Sequence, residues 1–322
     1  MKQFWSILIS GTISLSLLAG CTSQKAPEAQ EKLSVYTSFY PMADFVSKIG
    51  GDKLHVVNMV PDGAEPHHWE PSASDIVGLE KADVFVYSGA GMEHWVEDVL
   101  ASLENKELVV VQASDGLELL EGHKHSHDED EHEEEHEDED HDEDEHDHGS
   151  YDPHVWLSPM NAKHEMENIK NALVKADIDN ASYYEDNFSK YAAEFDKLDQ
   201  EYKDTLSVLP RNEIVVSHQA FGYLCHAYGL EQLGIDGLVP DSEPAPARMA
   251  EIIDFVKEHQ VTTIFFAELA SPKVAETIAS ATGASTAVLS AIEGLNDEQK
   301  AGGGDYFSVM RENLDALKAA LQ

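Results

Sequence analysis

Three of the 17 histidines stand in settings that position a side chain. His154 lies in Tyr151-Asp152-Pro153-His154-Val155-Trp156-Leu157-Ser158-Pro159, between a proline and an apolar pair. Pro153 fixes its own φ and pushes Asp152 towards an extended conformation. His67 sits in a proline-bounded loop, Pro61 to Pro71, that follows a strand-like run. His218 directly ends the run Glu213–Ser217. A single histidine of this kind is more often a core residue satisfied by a backbone bond. Three in equivalent places are different, because open α/β sheets gather ligands at the carboxyl ends of their strands. Three imidazoles and one carboxylate make a tetrahedral zinc site. Glu293, just past the run Ser285–Leu289, is the carboxylate candidate, and Glu268, at the end of Thr262–Ala267, competes with it.

A second group of histidines has another character. His123, His125, His127, His132, His136, His141, His146 and His148 alternate with sixteen acids, one lysine and one serine. No apolar residue is present to build a core, so disorder is expected, within a loop at about 118–149, with weak and exchangeable metal capture. His132-Glu133-Glu134-Glu135-His136 matches the H-E-x-x-H pattern of zinc proteases, but that motif needs a rigid helix backed by a core, which a polyacid run lacks. His55, His68, His94, His164, His226 and His259 read as strand, helix-face or core residues, with His68 pointing away from its neighbour.

The elements that must hold these residues follow an alternating pattern. Strands are expected at 33–38, 55–60, 83–87 and 108–111, with helices at 42–49, 73–81 and 93–103 between them. The alternation restarts after residue 212, with strands at 213–217, 231–235, 262–267 and 285–289 and helices at 219–227, 247–259, 271–282 and 305–321. Such alternation implies parallel sheets with helices on their faces. Between the halves lie a helix from Pro159 to about Ala176 and a second pattern over 180–209. In that second pattern Tyr184, Phe188, Tyr191, Phe195, Leu198, Tyr202, Leu206 and Leu209 recur at steps of three and four. Thirty residues at ~1.5 Å rise give a rod of about 45 Å. The expected fold is thus α/β, two lobes joined by one long helix, with the metal in the cleft between them.

The formal net charge of -41 is extreme. Such a field repels nucleic acid and anionic substrates and attracts cations. At the N-terminus, Lys2 and an apolar stretch from Phe4 to Leu18 read as an export signal, and Leu18-Ala19-Gly20-Cys21 reads as a lipoprotein cleavage box with the lipid on Cys21. Residues 22–32 then form a flexible tether. Cys225, the only other cysteine, lies in an apolar helical pattern and reads as a buried, inert thiol, so no internal disulfide is expected.

The chain resembles the zinc-binding lipoproteins of bacterial high-affinity zinc ABC importers, the metal-specific solute-binding group with a rigid linking helix. The resemblance spans essentially the whole mature chain. It is carried by Ser38-Phe39-Tyr40-Pro41, Pro66-His67 with Glu70-Pro71, Asp152-Pro153-His154-Val155-Trp156, Ser217-His218-Gln219-Ala220-Phe221 and Asp305-Tyr306-Phe307-Ser308-Val309-Met310. It implies a signal peptide 1–20, a tether 21–32, an N-terminal lobe 33–178, a linking helix 179–209 and a C-terminal lobe 210–322. It implies Zn2+ as cargo, held by His67, His154 and His218, with Glu293 or water at the fourth position. It further implies a monomer, lipid-anchored outside the cytoplasm, that serves a membrane permease and catalyses nothing. Manganese members of the group place a carboxylate at the position of His218, and the His-acid insertion belongs to zinc members. The alternatives are a manganese-binding member, a surface zinc buffer or adhesin, and a zinc hydrolase. The last would need an open coordination position and a general base near the metal.

Overall fold

Short runs dense in Val, Ile and Phe form three of the four central strands, Val84–Tyr87, Glu213–Val216 and Thr263–Phe266, as expected of sheets covered on both faces, while Leu33–Thr37 is more mixed. The computed structural model describes residues 32–122, 151–239, 244–267 and 271–322. Cys21 and the leader before residue 32, the eight histidines between 123 and 148, and Glu268 lie outside the described residues.

In chain order the first lobe has β1 (Leu33–Thr37), α1 (Tyr40–Gly50), β2 (Leu54–Asn58), α2 (Ala73–Leu79), β3 (Val84–Tyr87), α3 (Val96–Ser102) and β4 (Val109–Gln112). Two helices follow, α4 (Pro159–Ala176) and α5 (Ala181–Leu206). The second lobe has β5 (Glu213–Val216), α6 (Gly222–Tyr228), β6 (Glu231–Gly234), α7 (Pro246–Glu258), β7 (Thr263–Phe266), α8 (Lys273–Thr282), β8 (Ser285–Val288), α9 (Asp297–Ala301) and α10 (Tyr306–Leu321). The two sheets repeat one design: all strands are parallel, in the orders β2-β1-β3-β4 and β6-β5-β7-β8. The strand order reverses at β1 in one sheet and at β5 in the other. The carboxyl ends of these strands are the switch points where α/β folds bind ligands.

Two helices start or stop short of their sequence patterns for identifiable reasons. α3 begins at Val96 rather than Glu93 because the Glu93 carboxylate turns back to accept from the Ser88 and Gly89 amides, at 2.8 and 2.9 Å. α5 ends at Leu206 rather than Leu209, since Pro210 disfavours helical geometry at the residue before it. Its 26 residues still span about 39 Å.

α5 packs on α1 and α4 of the first half and on α6 and α10 of the second. Aromatic rings fill that junction. Phe45 of α1 meets Phe195 of α5 and Tyr306 of α10 edge-on, with centroids 5.9 and 5.1 Å apart, and Phe195 meets Phe307 at 4.7 Å. The Tyr202 hydroxyl donates to the Met310 carbonyl at 2.6 Å. One hydrophobic core therefore runs through both lobes, and each sheet buries its other face in a smaller cluster of its own. Cys225 is buried in the shared core, and burial pushes its thiol well above the ordinary range.

Candidate metal centre

Four donors reach one point from four strand ends. His67 comes from the connection after β2, His154 from the connection after β4, His218 from the end of β5, and Glu293 from the loop after β8. Each lobe contributes two. All four are at most 5% exposed, and their donor atoms lie within 4.8 Å of one another.

Each side chain is aimed by its local backbone. In the His67 loop, the Glu65 carboxylate folds back to accept the main-chain N–H groups of His67 and His68, at 2.8 and 3.1 Å. It also holds the His68 ring, 3.0 Å away, on the solvent side while His67 faces the cleft. Asp152 Oδ1 accepts from the His154 main-chain N–H at 2.9 Å and meets its Nδ1 at 2.8 Å. Asp152 therefore fixes the ring orientation, and the bond favours the tautomer that keeps the Nε2 lone pair free for a metal. The His218 ring has neither nitrogen hydrogen-bonded, although both are buried. Glu293 follows Ile292, a β-branched residue at φ +58°. Such a conformation costs on the order of 1–3 kcal/mol and persists only when its surroundings overdetermine it. Ser290 Oγ accepts from the Ile292 N–H at 3.0 Å, while Asn313 pairs with both main-chain groups of Ser290 at 2.8 Å.

The spacing of the donors carries chemical information. Nε2 of His67 lies 3.2 Å from Nε2 of His154 and 3.3 Å from Oε1 of Glu293. That oxygen is 3.4 Å from Nε2 of His154 and 3.5 Å from Nε2 of His218. A tetrahedral ion bound at ~2.0 Å separates its ligand atoms by about 3.3 Å. Four of the six edges thus have the length that a zinc-sized tetrahedral ion demands, and two unpartnered imidazole nitrogens are buried beside it.

Charge is distributed accordingly. Burial works against ionisation of Glu293, but the imidazoles of His154, His218 and His67 outweigh it and hold the carboxyl well below the usual carboxylate range. Burial likewise opposes protonation of His154, yet Asp152 and Glu293 overcome it and push the group up to about 9. At His67 burial prevails over the Glu293 contact, and its imidazole is pulled below the ordinary value.

The sequence reading named the four donors but missed Asp152 as the residue that orients His154. The Asp-x-His spacing was the signal: an acid two residues before an imidazole, bridged by a rigid proline, can bond both its ring and its main-chain N–H. It also missed the strained turn at Ile292, which no local pattern announces.

Known proteins share this architecture. The high-affinity zinc uptake system protein ZnuA of Bacillus subtilis is 44% identical over 325 residues, covering 100% of this chain and 99% of its own. The zinc-binding lipoprotein AdcA of Streptococcus pneumoniae is 38% identical over 318 residues, and this chain spans only 61% of its length. Among solved structures, the metal-dependent lipoprotein YcdH of Bacillus subtilis superposes with a TM-score of 0.75 at 42% identity, over 90% of this chain and 99% of that one. The Zn(II)-bound ZnuA-like domain of Streptococcus pneumoniae AdcA does so with a TM-score of 0.76 at 35% identity, over 90% of this chain and 99% of that domain. Residues 35–320 match the family described as ZnuA, zinc-uptake complex component A, periplasmic, and the chain belongs to that family.

Proposed function

We propose that this chain is the extracytoplasmic zinc-capturing component of an ABC importer, holding one Zn2+ in the cleft and delivering it to a membrane permease. The observation that carries the reading is the spacing of four buried donors, 3.2 to 3.5 Å along four edges, drawn from four strand ends. His67, His154, His218 and Glu293 are the proposed ligands. With two ligands from each lobe, an ion completes a shell that neither lobe can make alone, so capture and release are coupled to how the lobes meet.

The chemistry of the shell supports zinc over manganese, because imidazole suits zinc while oxygen-rich shells suit manganese. Glu293 lies within the shell as a fourth ligand, which leaves a hydrolytic water no evident place. Binding requires neutral imidazoles, so the proton that Asp152 and Glu293 favour on His154 has to leave as the metal enters.

The remaining assignments rest on sequence. We place the N-terminal lobe at 33–178, the linking helix at 179–209 and the C-terminal lobe at 210–322. The leader 1–20 directs export, Cys21 carries the lipid anchor, and the mature protein works as a monomer. The histidines between 123 and 148 capture zinc loosely and raise its concentration near the cleft. The chain on either side of that segment is pinned together by a bridge between Glu121 and Tyr151, three residues before His154.

Calorimetry on the zinc-free protein tests the site. One tight zinc equivalent is expected, strongly weakened in His67→Ala, His154→Ala and His218→Ala, and retained when 123–148 is deleted. Loss of the tight site on deletion of 123–148 would move the assignment to that segment.

A further inference from the structure

We propose that Trp156 is a positioning residue that sets the separation of His154 and Glu293, and thereby the kind of ion the cleft accepts. The inference rests on the zinc-capture reading above and adds the source of its selectivity.

Trp156 lies two residues after His154 and is fully buried. Its ring packs against the His154 ring, with centroids 5.4 Å apart, and receives Phe39 edge-on at 4.9 Å. Its indole N–H crosses to the other lobe and donates to the Ala291 carbonyl at 2.7 Å. Ala291 is two residues before Glu293. The main-chain carbonyl of Trp156 itself accepts the Tyr306 hydroxyl of α10 at 2.6 Å. One residue thus touches a ligand of the first lobe, holds the loop that bears a ligand of the second, and is itself held from the second.

The place where the indole bonds matters. Between Ala291 and Glu293 stands Ile292, in the left-handed region that a β-branched residue avoids. A turn of this kind relaxes when its restraints are removed. The Ser290 and Asn313 bonds restrain it from within the second lobe, whereas the indole fixes it relative to His154. Without the indole bond, Glu293 keeps its carboxylate but loses its fixed distance of 3.4 Å from His154 Nε2. A shell with edges of this length suits four ligands. An ion that prefers six oxygen-rich ligands needs room for two more. Loosening the turn removes the penalty against such an ion while it weakens the tetrahedral one.

Trp156→Phe keeps an aromatic ring and deletes the donor. Tyr306→Phe keeps every ring and deletes only the bond to the Trp156 carbonyl. Zinc and manganese affinities are measured by competition with a chelator, alongside thermal stability in excess chelator. Trp156→Phe is expected to weaken zinc about 10- to 100-fold, the range seen when groups behind metal ligands are removed. Manganese binding should change much less, so the zinc-to-manganese ratio falls about tenfold or more, and Tyr306→Phe should move it the same way to a smaller extent. Equal losses for both metals, or an unchanged ratio with lower thermal stability, would reduce Trp156 to packing and overturn the proposal. Should Trp156→Phe not fold, an unchanged ratio in Tyr306→Phe overturns it alone. A wild-type protein without tight zinc would instead bring down the zinc-capture reading, and that outcome is read before either variant is compared.

Discussion

Asp152 grips His154 twice, through one carboxylate oxygen that lies 2.9 Å from the main-chain nitrogen and 2.8 Å from Nδ1 of the ring. Neither contact reaches the metal position, yet together they fix which nitrogen faces it. Asp152→Ala frees the ring to rotate and to change tautomer. The expected outcome is a zinc affinity lower by about 10- to 100-fold, with the fold retained. Isothermal titration with zinc, run beside circular dichroism, checks this. An unchanged affinity would show that burial alone orients His154.

A second tie joins the lobes away from the cleft. Lys48 of α1 pairs with Asp44 at 3.0 Å and with Asp305, the N-cap of α10, at 2.9 Å. The lysine side chain is only 10% exposed. Burial pushes the Asp44 carboxyl up, although Lys48 opposes that, and its second oxygen is already buried without a partner. Lys48→Met strands that carboxylate. A loss of about 3 kcal/mol at neutral pH is expected, as for other buried pairs broken on one side. The deficit should narrow as pH falls, since Asp44 can then take up a proton. Urea unfolding at two pH values decides, and a uniform loss at both would assign the effect to packing of the lysine stem.

Buried acid also sets a pH profile for the whole fold. Glu165 of α4 is fully buried, with Oε1 3.2 Å from the Ser88 hydroxyl and Oε2 unpartnered. Burial, opposed by the Ser88 bond and assisted by the Glu93 charge, pushes its carboxyl up to about 8. In the unfolded chain the same group titrates near ~4.3. Between those values the folded state holds one proton more, so stability falls as pH rises, by up to about 1.4 kcal/mol per unit from this group. Glu165→Gln removes that slope and should gain about 3.5 kcal/mol at pH 8 relative to pH 5. Denaturant midpoints for both proteins across that range test the point; parallel profiles would mean that Glu165 is already ionised.

The two lobes were legible because their strands are short apolar runs at regular spacing, and a parallel sheet needs little else to be recognised. The four residues that the structure gathers were legible for a related reason: each lies in the connection that follows such a run, close behind the strand at His218 and after longer loops at His67, His154 and Glu293, and strand ends converge by topology rather than by detail. What escaped was long-range. Nothing near Trp156 in sequence says that its indole reaches Ala291, 135 residues away. Glu165 sits in an otherwise amphipathic helix, and only the packing of α4 on the first sheet buries it. The lengths of α3 and α5 were overdrawn because a hydrophobic period continues past the point where Glu93 or Pro210 diverts the backbone.

The final prediction separates donor type from donor spacing. His218 lies two residues past β5 at the switch point of the second sheet, where no hydrogen bond holds either ring nitrogen. A carboxylate placed there removes an imidazole that helps hold Glu293 ionised. It also sets a second negative charge beside Glu293, whose Oε1 lies 3.5 Å from the ring. Without metal, two carboxylates so close cannot both ionise easily, so one is expected to hold a proton. With metal, the shell changes from three nitrogens and one oxygen to two of each. His218→Glu should therefore weaken zinc by at least about tenfold and shift preference towards manganese, because hard oxygen ligands suit that ion. Both metals should bind the variant less tightly at pH 6 than at pH 8, as the extra proton must leave before either is bound, while the shift in preference stays the same at the two pH values. Competition between the two metals at both pH values checks this. A preference unchanged by the new ligand would show that the geometry of the cleft, rather than the chemistry of its donors, selects the ion.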